Sequence, residues 1–453
     1  MNLQLRFAAL IFLVAARLSV AQSQPVQTPV KLGPYEYEVV PDDSAFAGFN
    51  PRLGPKPGPL LLEQGDRLAI CGDSITEQKM YSRIIETYLT ACVPELKVTV
   101  RQYGWSGEKT DGFLGRMQQD CLTFDPTVAT LAYGMNDSRY RPFDVTNGHW
   151  YEDHYRSIVR LFKEHDVRVV VGSPGCAGKI ASWVKSKSGT LREHNLHLCA
   201  LRDIAIEVAE SEGVRFADIF WPMYQAQVFA PGQHSATEET PYLVAGTDGI
   251  HPGWAGHVIM AWSMLRSLGL DGDIATITVD LKAGTASASD GHVIDQFQDG
   301  TLSVISSKYP FCARGDMNDF NTVRSGMTLV PFAEELNRFL LKLNEPADSR
   351  YRVSWGKWSA EFDAEEMERG INLAVEFPEN PFCEAFDRVD AAVAEKQAYE
   401  TTQVKKVFHG QEGRSNFLAA VERTERERKP LADAISQAMQ PVRHSLQIQA
   451  IQQ

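Results

Sequence analysis

The sequence predicts an α/β fold in which a parallel five-stranded sheet is covered by helices on both faces. Short apolar runs alternate with amphipathic stretches, and this alternation is typical of right-handed βαβ units. The run 167–172 is nearly continuous in β-branched residues, as expected of a central strand that is buried on both faces. The apolar runs lie at 67–71, 97–102, 127–133, 167–172 and 214–220, and the amphipathic stretches at about 78–92, 111–122, 147–165, 190–212 and 253–268.

The pattern changes after residue 270. Residues 274–280 alternate between apolar and polar side chains, and strand-like runs follow at 301–306, 337–343, 350–355 and 358–362. This pattern predicts an antiparallel β module of the sandwich type. Two long helical patterns between 383 and 441, separated by a Gly-containing turn at 409–413, then predict an antiparallel helical hairpin. Residues 446–451 alternate again and predict a returning strand.

Composition and the N-terminus suggest an exported globular protein with two domains. The chain has 453 residues, 43% of them hydrophobic, and a net charge of −13, which gives no electrostatic reason to bind nucleic acid or anionic lipid. Arg6, the apolar stretch 7–16 and the small-x-small sequence Ser19-Val-Ala21 are typical of a secretory signal, although an uncleaved tether is an alternative. We therefore expect a signal peptide at 1–21, an extended leader at 22–58, an α/β domain at 59–270 and a C-terminal β module with hairpin at 271–453.

Ser74 is the first candidate for a catalytic side chain. It follows an apolar run that breaks at Gly72-Asp-Ser74 and continues as a helix. A serine at this place is exposed at the carboxyl end of a strand, next to the positive end of a helix dipole. The alternative is a plain helix N-cap, which is the commoner role of serine at such a turn.

Asp248 and His251 supply the groups that a serine nucleophile requires. They stand three residues apart in a Gly- and Pro-rich stretch that opens a helix at Pro252. One turn of chain can hold the carboxylate against one imidazole nitrogen while the other nitrogen faces the serine. An Asp-Gly turn followed by a helix-capping histidine is the alternative.

Gly107 and Asn136 are candidates for oxyanion donors. Each lies in a Gly-containing turn after a strand-like run, within Gly104-Trp-Ser-Gly107 and Gly134-Met-Asn136 respectively. A backbone N–H and a side-chain amide are suitable donors to a developing oxyanion. Gly and Asn are also favoured in ordinary turns because both residues tolerate positive φ.

Together, the four motifs around Ser74, Gly107, Asn136 and Asp248-x-x-His251 resemble the SGNH (GDSL-type) hydrolase superfamily. The resemblance includes their order in the sequence and covers roughly residues 60 to 270. The resemblance implies a three-layer α/β/α, flavodoxin-like domain. It also implies that Ser74 is the nucleophile, His251 the general base and acid, and Asp248 the partner that orients His251.

The resemblance further implies an oxyanion hole made of the Ser74 N–H, the Gly107 N–H and the Asn136 side chain. Acyl-ester hydrolysis through a Ser-bound acyl-enzyme would need no metal and no organic cofactor. Exported bacterial proteins with this domain and an added module suggest a secreted or periplasmic location, without stable membrane insertion after signal cleavage.

The substrate is expected to be an acylated carbohydrate or another small ester, most simply an acetyl ester. Trp105 and Tyr140 are candidate substrate contacts, and Phe143, Trp150 and Tyr151 extend the aromatic group, although the last two fit a protein core equally well. A lysophospholipase or short-chain lipase is the alternative enzyme. A catalytically inactive carbohydrate-binding protein is the alternative of another class.

Two further patterns yield structural hypotheses. Cys312 and Cys383 share the context Pro-Phe-Cys and are candidates for a disulfide, whereas Cys71, just before the nucleophile turn, fits a buried thiol. Ser182-Trp-Val-Lys185 matches the Ser-x-x-Lys pattern of penicillin-recognising enzymes but is better interpreted as the polar start of a helix.

Overall fold

The computed structural model of the protein describes residues 35–185 and 188–451. The predicted signal peptide at 1–21 lies outside the described residues, as does the first part of the leader. In the described chain, no helix combines the length and apolar character needed to cross a membrane. The described residues belong to one unit, Pro34–Gln453. The domain boundaries given above remain predictions.

A parallel sheet of five strands forms the centre of the first half of the chain, in the order β2-β1-β3-β4-β5. This arrangement confirms the predicted α/β fold class. Gly72 pairs with Gly104 on one side and with Ala132 on the other, so β1, β2 and β3 end at the same level. The strands are β1 (Arg67–Gly72), β2 (Thr99–Gly104), β3 (Val128–Ala132), β4 (Arg168–Gly172) and β5 (Arg215–Ala217).

Helices follow the strands as the alternating pattern predicts, with one addition. The segment 220–233 is a helix that the sequence pattern did not predict, since it is apolar almost throughout and contains Pro231. The helices are α1 (Ser74–Glu77), α2 (Tyr81–Ala91), α3 (Thr110–Asp120), α4 (Val145–Glu164), α5 (Leu191–Glu212), α6 (Phe220–Gln233) and α7 (Trp254–Ser267). The prediction that Ser182 begins a helix is wrong, because 182–183 form a turn and α5 begins only at Leu191.

The β module consists of two further sheets, in the orders β13-β10-β6-β7 and β12-β11-β14-β9-β8. Their pairings are antiparallel except for β6 with β10, which run parallel. The last strand, β14, returns between β11 and β9. The strands are β6 (Asp273–Asp280), β7 (Thr285–Ala288), β8 (His292–Gln298), β9 (Thr301–Ser306), β10 (Arg338–Leu343), β11 (Arg350–Trp355), β12 (Trp358–Asp363), β13 (Ile371–Asn372) and β14 (Val442–Ala450).

Short helices interrupt this module, and the predicted helical hairpin follows it. The short helices are α8 (Val323–Gly326), α9 (Phe332–Leu336), α10 (Ala364–Arg369) and α11 (Leu373–Glu376). The hairpin comprises α12 (Cys383–Thr402), a π-helix (Gln403–Phe408), α13 (Gln411–Ser415) and α14 (Phe417–Ala438).

All seven cysteines are buried free thiols. The hypothesis of a disulfide between Cys312 and Cys383 is therefore not borne out. The two thiols are neighbours nonetheless, since a hydrogen bond from Cys312 lowers the pKa of Cys383 to about 7. The expectation of a buried thiol at Cys71 agrees with its complete burial in β1.

A buried cluster of charges fastens the hairpin to the first half of the chain. The Lys396 ammonium, only 1% exposed, lies 3.0 Å from Glu86 of α2 and 2.8 Å from Glu400 of its own helix. It also donates a hydrogen bond of 2.6 Å to the carbonyl oxygen of Val100 in β2. Removing one member of such a cluster leaves the remaining charges uncompensated in a medium of low dielectric constant.

We expect Lys396→Met to lower the free energy of unfolding by about 3–5 kcal/mol, because the buried Glu86 loses its cation and Glu400 keeps only Arg428, at 2.7 Å. Lys429→Met is the matched control, since the Lys429 ammonium pairs with Asp433 on the exposed surface of α14 and exposed pairs contribute little. Urea unfolding of both variants measures the difference. Equal losses in the two variants would contradict the proposed contribution of the cluster.

Candidate active site

Ser74 lies at the sharp turn between β1 and α1. Asp73, not Ser74, is the N-cap, because an Asp73 carboxylate oxygen accepts a hydrogen bond of 2.9 Å from the Ile75 N–H. The turn packs so tightly that a Cβ atom at Gly72 would lie 2.1 Å from the Thr76 hydroxyl. Since the capping is done by its neighbour, the Ser74 hydroxyl is left free to face the loops on the other side of the site.

The structure brings Ser74, His251 and Asp248 into one hydrogen-bonded chain. The distance between Ser74 Oγ and His251 Nε2 is 2.8 Å, and that between His251 Nδ1 and Asp248 Oδ2 is 2.7 Å. With Nδ1 protonated and donating to the carboxylate, Nε2 is free to accept the serine proton. A serine nucleophile, its base and an orienting acid would require this geometry.

The Asp248 carboxylate is held by its own loop. Its Oδ1 accepts hydrogen bonds from the N–H groups of Ile250 (2.9 Å) and His251 (2.8 Å). Burial raises the pKa of Asp248, but these hydrogen bonds and the contact with the His251 ring lower it by more. The net pKa of Asp248 is therefore below its ordinary value. The group is therefore anionic at neutral pH, as stabilisation of an imidazolium requires.

Gly107 and Asn136 lie on the two loops that follow β2 and β3. Gly107 adopts a φ of +74°, and its N–H has no hydrogen-bond acceptor among residues 35–185 and 188–451. The Asn136 amide nitrogen donates to the carbonyl oxygen of Glu108 (3.1 Å) and to the Asp73 carboxylate (3.2 Å). Its oxygen accepts a hydrogen bond of 2.6 Å from the Tyr140 hydroxyl, which fixes the orientation of the amide.

Three carboxylates join these loops, and two of them, Asp73 and Asp137, stand directly beside Ser74 and Asn136 in the sequence motifs. Asp137 is fully buried and accepts hydrogen bonds from the Thr110 N–H (2.9 Å), the Thr110 hydroxyl (2.7 Å) and the Gly134 N–H (3.0 Å). Asp73 joins the nucleophile turn to Asn136, and Glu77 of α1 accepts a hydrogen bond of 2.6 Å from the Ser106 N–H. Only distant pairing in the fold creates these contacts, so the sequence carried no signal for them.

The Asp73 carboxyl is in an unusual electrostatic position. Burial raises its pKa to about 7, despite the opposing hydrogen bond from the Ile75 N–H. The neighbouring carboxyl groups of Asp137 and Glu108 contribute in the same direction as burial. The chain therefore keeps an acid beside Asn136 that is costly to ionise.

The aromatic residues surround the site unevenly. Tyr140 lies beside Asn136, and its ring contacts that of Trp183, which is 46% exposed and has its ring centre 5.6 Å from that of His251. Trp105 is half-buried and contacts the His409 ring of the C-terminal region at 4.9 Å.

Phe143 is exposed, Trp150 half-buried and Tyr151 completely buried, so Tyr151 belongs to the core. Trp183 was missed as a site residue because its segment has the polar pattern of a helix start.

Among the residues that the structure describes, no group of three or more His, Cys, Asp or Glu side chains is placed to hold a metal ion.

Comparison with known proteins agrees with this geometry. Residues 70–259 match the GDSL-like Lipase/Acylhydrolase family. This stretch of the chain is therefore similar to a GDSL (SGNH) hydrolase domain, a family of lipases and acylhydrolases. No curated protein sequence matches the chain significantly.

A solved structure shares the fold at low sequence identity. A gut microbial diltiazem-metabolizing enzyme is 21% identical, with a TM-score of 0.68 over 88% of this chain and 99% of that chain. The two therefore share the fold well beyond the GDSL domain. An acetylxylan esterase from Geobacillus stearothermophilus is also 21% identical and covers 46% of this chain and 97% of its own, with a TM-score of 0.37.

The raised pKa of Asp73 predicts that its replacement changes stability and activity in opposite directions. Between about pH 4 and 7 the folded state holds a proton that the unfolded state releases, so this group's contribution to the free energy of unfolding falls as the pH rises, by up to about 1.4 kcal/mol per unit. Asp73→Asn removes this titration. The variant should gain stability relative to the wild type between pH 5 and pH 8, while kcat falls because the new amide turns an N–H group toward the Asn136 N–H and displaces the Asn136 side chain.

Urea unfolding at both pH values measures the first effect, and ester hydrolysis measures the second. Asp290→Asn, at an exposed turn, is the matched control and should leave both quantities unchanged. If the stability of the wild type and of Asp73→Asn changes by the same amount between pH 5 and pH 8, Asp73 does not titrate in this range.

Proposed function

We propose that the protein is a serine esterase that hydrolyses acyl esters, most simply acetyl esters of carbohydrates, through an acyl-enzyme on Ser74. The observation that carries the proposal is the continuous hydrogen-bonded chain from Ser74 Oγ through the His251 ring to the Asp248 carboxylate. The match of residues 70–259 to the GDSL-like family supports the same class of reaction.

In the proposed mechanism, Ser74 Oγ attacks the ester carbonyl carbon while its proton moves to His251 Nε2. Asp248 stabilises the imidazolium that forms. The tetrahedral intermediate then expels the alcohol, which takes the proton from His251. A water molecule repeats the sequence on the acyl-enzyme and releases the acid, so the enzyme returns to its starting protonation state.

The oxyanion hole of this mechanism comprises the Ser74 N–H, the Gly107 N–H and the Asn136 amide. Gly107 supports the proposal because its N–H has no competing acceptor in the described chain. One N–H of Asn136 points to Asp73 in the absence of substrate. A developing oxyanion would compete for that hydrogen, and protonation of Asp73 would weaken its hold on the amide.

A sugar ester is favoured over a long-chain lipid by the aromatic rings at the site. Flat rings with polar edges fit amphipathic sugar rings. Trp183 presents such a surface next to His251, and Tyr140 packs against Trp183. Trp105, although partly covered by the C-terminal region, remains a proposed contact on the oxyanion side. Export to the periplasm or the medium, proposed from the N-terminal signal, fits a polymeric or oligomeric carbohydrate substrate.

Ser74→Ala should abolish hydrolysis of p-nitrophenyl acetate without unfolding the chain, because the variant lacks the hydroxyl that contacts His251 Nε2. Ser157→Ala, on the exposed face of α4, is the matched control and should retain full turnover. Asn136→Ala should lower kcat by about 10²–10³-fold, the usual cost of one oxyanion donor. Substantial turnover by Ser74→Ala would refute the assignment of the nucleophile.

Substrate preference tests the carbohydrate proposal. We expect acetyl esters to be hydrolysed faster than butyryl and octanoyl esters, and acetylated xylan or mannan oligosaccharides to be deacetylated. Trp183→Ala should raise KM for the oligosaccharide severalfold and leave p-nitrophenyl acetate kinetics nearly unchanged, since the small ester does not need an aromatic platform. A preference for octanoyl esters would favour a lipase, and sugar binding without hydrolysis would favour the inactive binder.

A further inference from the structure

The π-helix Gln403–Phe408 delivers a lysine to the oxyanion side of the candidate site. π-Helices are rare and are often found at functional sites. Here the π-helix continues α12 directly, and Lys405 within it reaches across to the first half of the chain. The Lys405 ammonium donates a hydrogen bond of 2.6 Å to one carboxylate oxygen of Glu77.

Glu77 links Lys405 to the loop that carries Gly107. It is the last residue of α1, the helix that Ser74 begins. Its other carboxylate oxygen accepts hydrogen bonds from both the N–H (2.6 Å) and the hydroxyl of Ser106. Ser106 directly precedes Gly107, whose N–H is a proposed oxyanion donor. One carboxylate thus joins the nucleophile helix, the oxyanion loop and the C-terminal region.

Electrostatics agree with a fixed anion at Glu77. Burial raises the pKa of Glu77, but the hydrogen bonds from Lys405 and Ser106 lower it by more. The net pKa of Glu77 is therefore below its ordinary value. The half-buried Lys79 adds a second positive charge close by, and its ammonium donates a hydrogen bond of 2.6 Å to the Glu77 carbonyl oxygen. The carboxylate therefore keeps its charge and its acceptor geometry at neutral pH.

The same part of the C-terminal region holds Trp105, the residue before Ser106. The His409 ring meets the Trp105 ring edge to face, and its Nε2 lies 2.8 Å from the buried Asp120 carboxylate. The Lys405 ammonium lies 5.1 Å from the centre of the Trp105 ring. The C-terminal region thus contacts the loop that carries Gly107 both through Glu77 and through Trp105.

We propose that Lys405 is a positioning residue which, through Glu77, holds the Ser106-Gly107 loop in the geometry that oxyanion stabilisation requires. The proposal rests on the esterase function proposed above. An alternative is that the Lys405–Glu77 pair only fastens the hairpin to the domain. The two alternatives differ in kinetics, because a misplaced donor impairs the transition state and not the bound ester.

The test compares Lys405→Met with Lys405→Arg and with Lys406→Met, an exposed neighbour in the same π-helix. We expect Lys405→Met to lower kcat for p-nitrophenyl acetate by about 10- to 100-fold with KM within about twofold. Arg should restore most of the loss, and Lys406→Met should behave as wild type. A kcat within twofold of wild type for folded Lys405→Met, or no rescue by Arg, would overturn the proposal.

A double-mutant cycle with Glu77→Gln provides the second readout, and Glu77→Gln alone covers the case in which Lys405→Met folds poorly. If the two residues act as a unit, Glu77→Gln alone should lower kcat by a similar factor, and the double variant should be no slower than the slower single variant. Independent, multiplicative losses would overturn the proposal. Ser74→Ala assayed in parallel separates the cases, because its turnover tests the esterase function and not the role of Lys405.

Discussion

The common end of strands β1, β2 and β3 is the constraint on which the candidate site depends. Because Gly72, Gly104 and Ala132 lie at one level, the three loops that follow start from a single edge of the sheet. Helix α1 then packs against β2 so closely that a Cβ at Gly104 would lie 2.2 Å from the Glu77 nitrogen. This contact sets the distance between the nucleophile turn and the oxyanion loop, and the carboxylates of Asp73, Glu77 and Asp137 can bridge the loops only at that distance.

These bridging carboxylates lower the stability of the fold but orient the groups of the site. Asp73 and Asp137 are buried beside Glu108, and burial raises the pKa of both aspartates. Glu108 is compensated by a bidentate pair with Arg116 at 2.6 and 2.7 Å, whereas Asp73 accepts its hydrogen bonds from neutral N–H groups. A site that held its loops with apolar contacts would be more stable, but it would not fix amide groups in direction. Buried polar bonds supply this orientation, because they are satisfied in only one arrangement.

The local parts of this site could be predicted from the sequence, and the long-range parts could not. Ser74, Gly107, Asn136, Asp248 and His251 stand in short motifs at strand ends, so their pattern alone indicates that they meet at one edge of a sheet. Trp183 was missed because its segment has the polar pattern of a helix start. Helix α6 was missed because a helix that is apolar on nearly all sides lacks the amphipathic pattern. The contact of Lys405 with Glu77 joins residues 328 positions apart, a distance over which no local rule operates.

The position of Lys405 bears on what the C-terminal region is for. An added module that only binds substrate or shields a surface would contact the hydrolase domain through exposed, replaceable side chains. Here the contact includes the fully buried Lys396 between Glu86 and Glu400, the bond of Ser82 to Gln397 at 2.8 Å, and the contacts of Lys405 and His409 beside the oxyanion loop. Buried charges of this kind are tolerable only when their partners are always present. The hairpin is therefore packed closely on the first half of the chain, and the loop that carries Gly107 is contacted by residues from both halves.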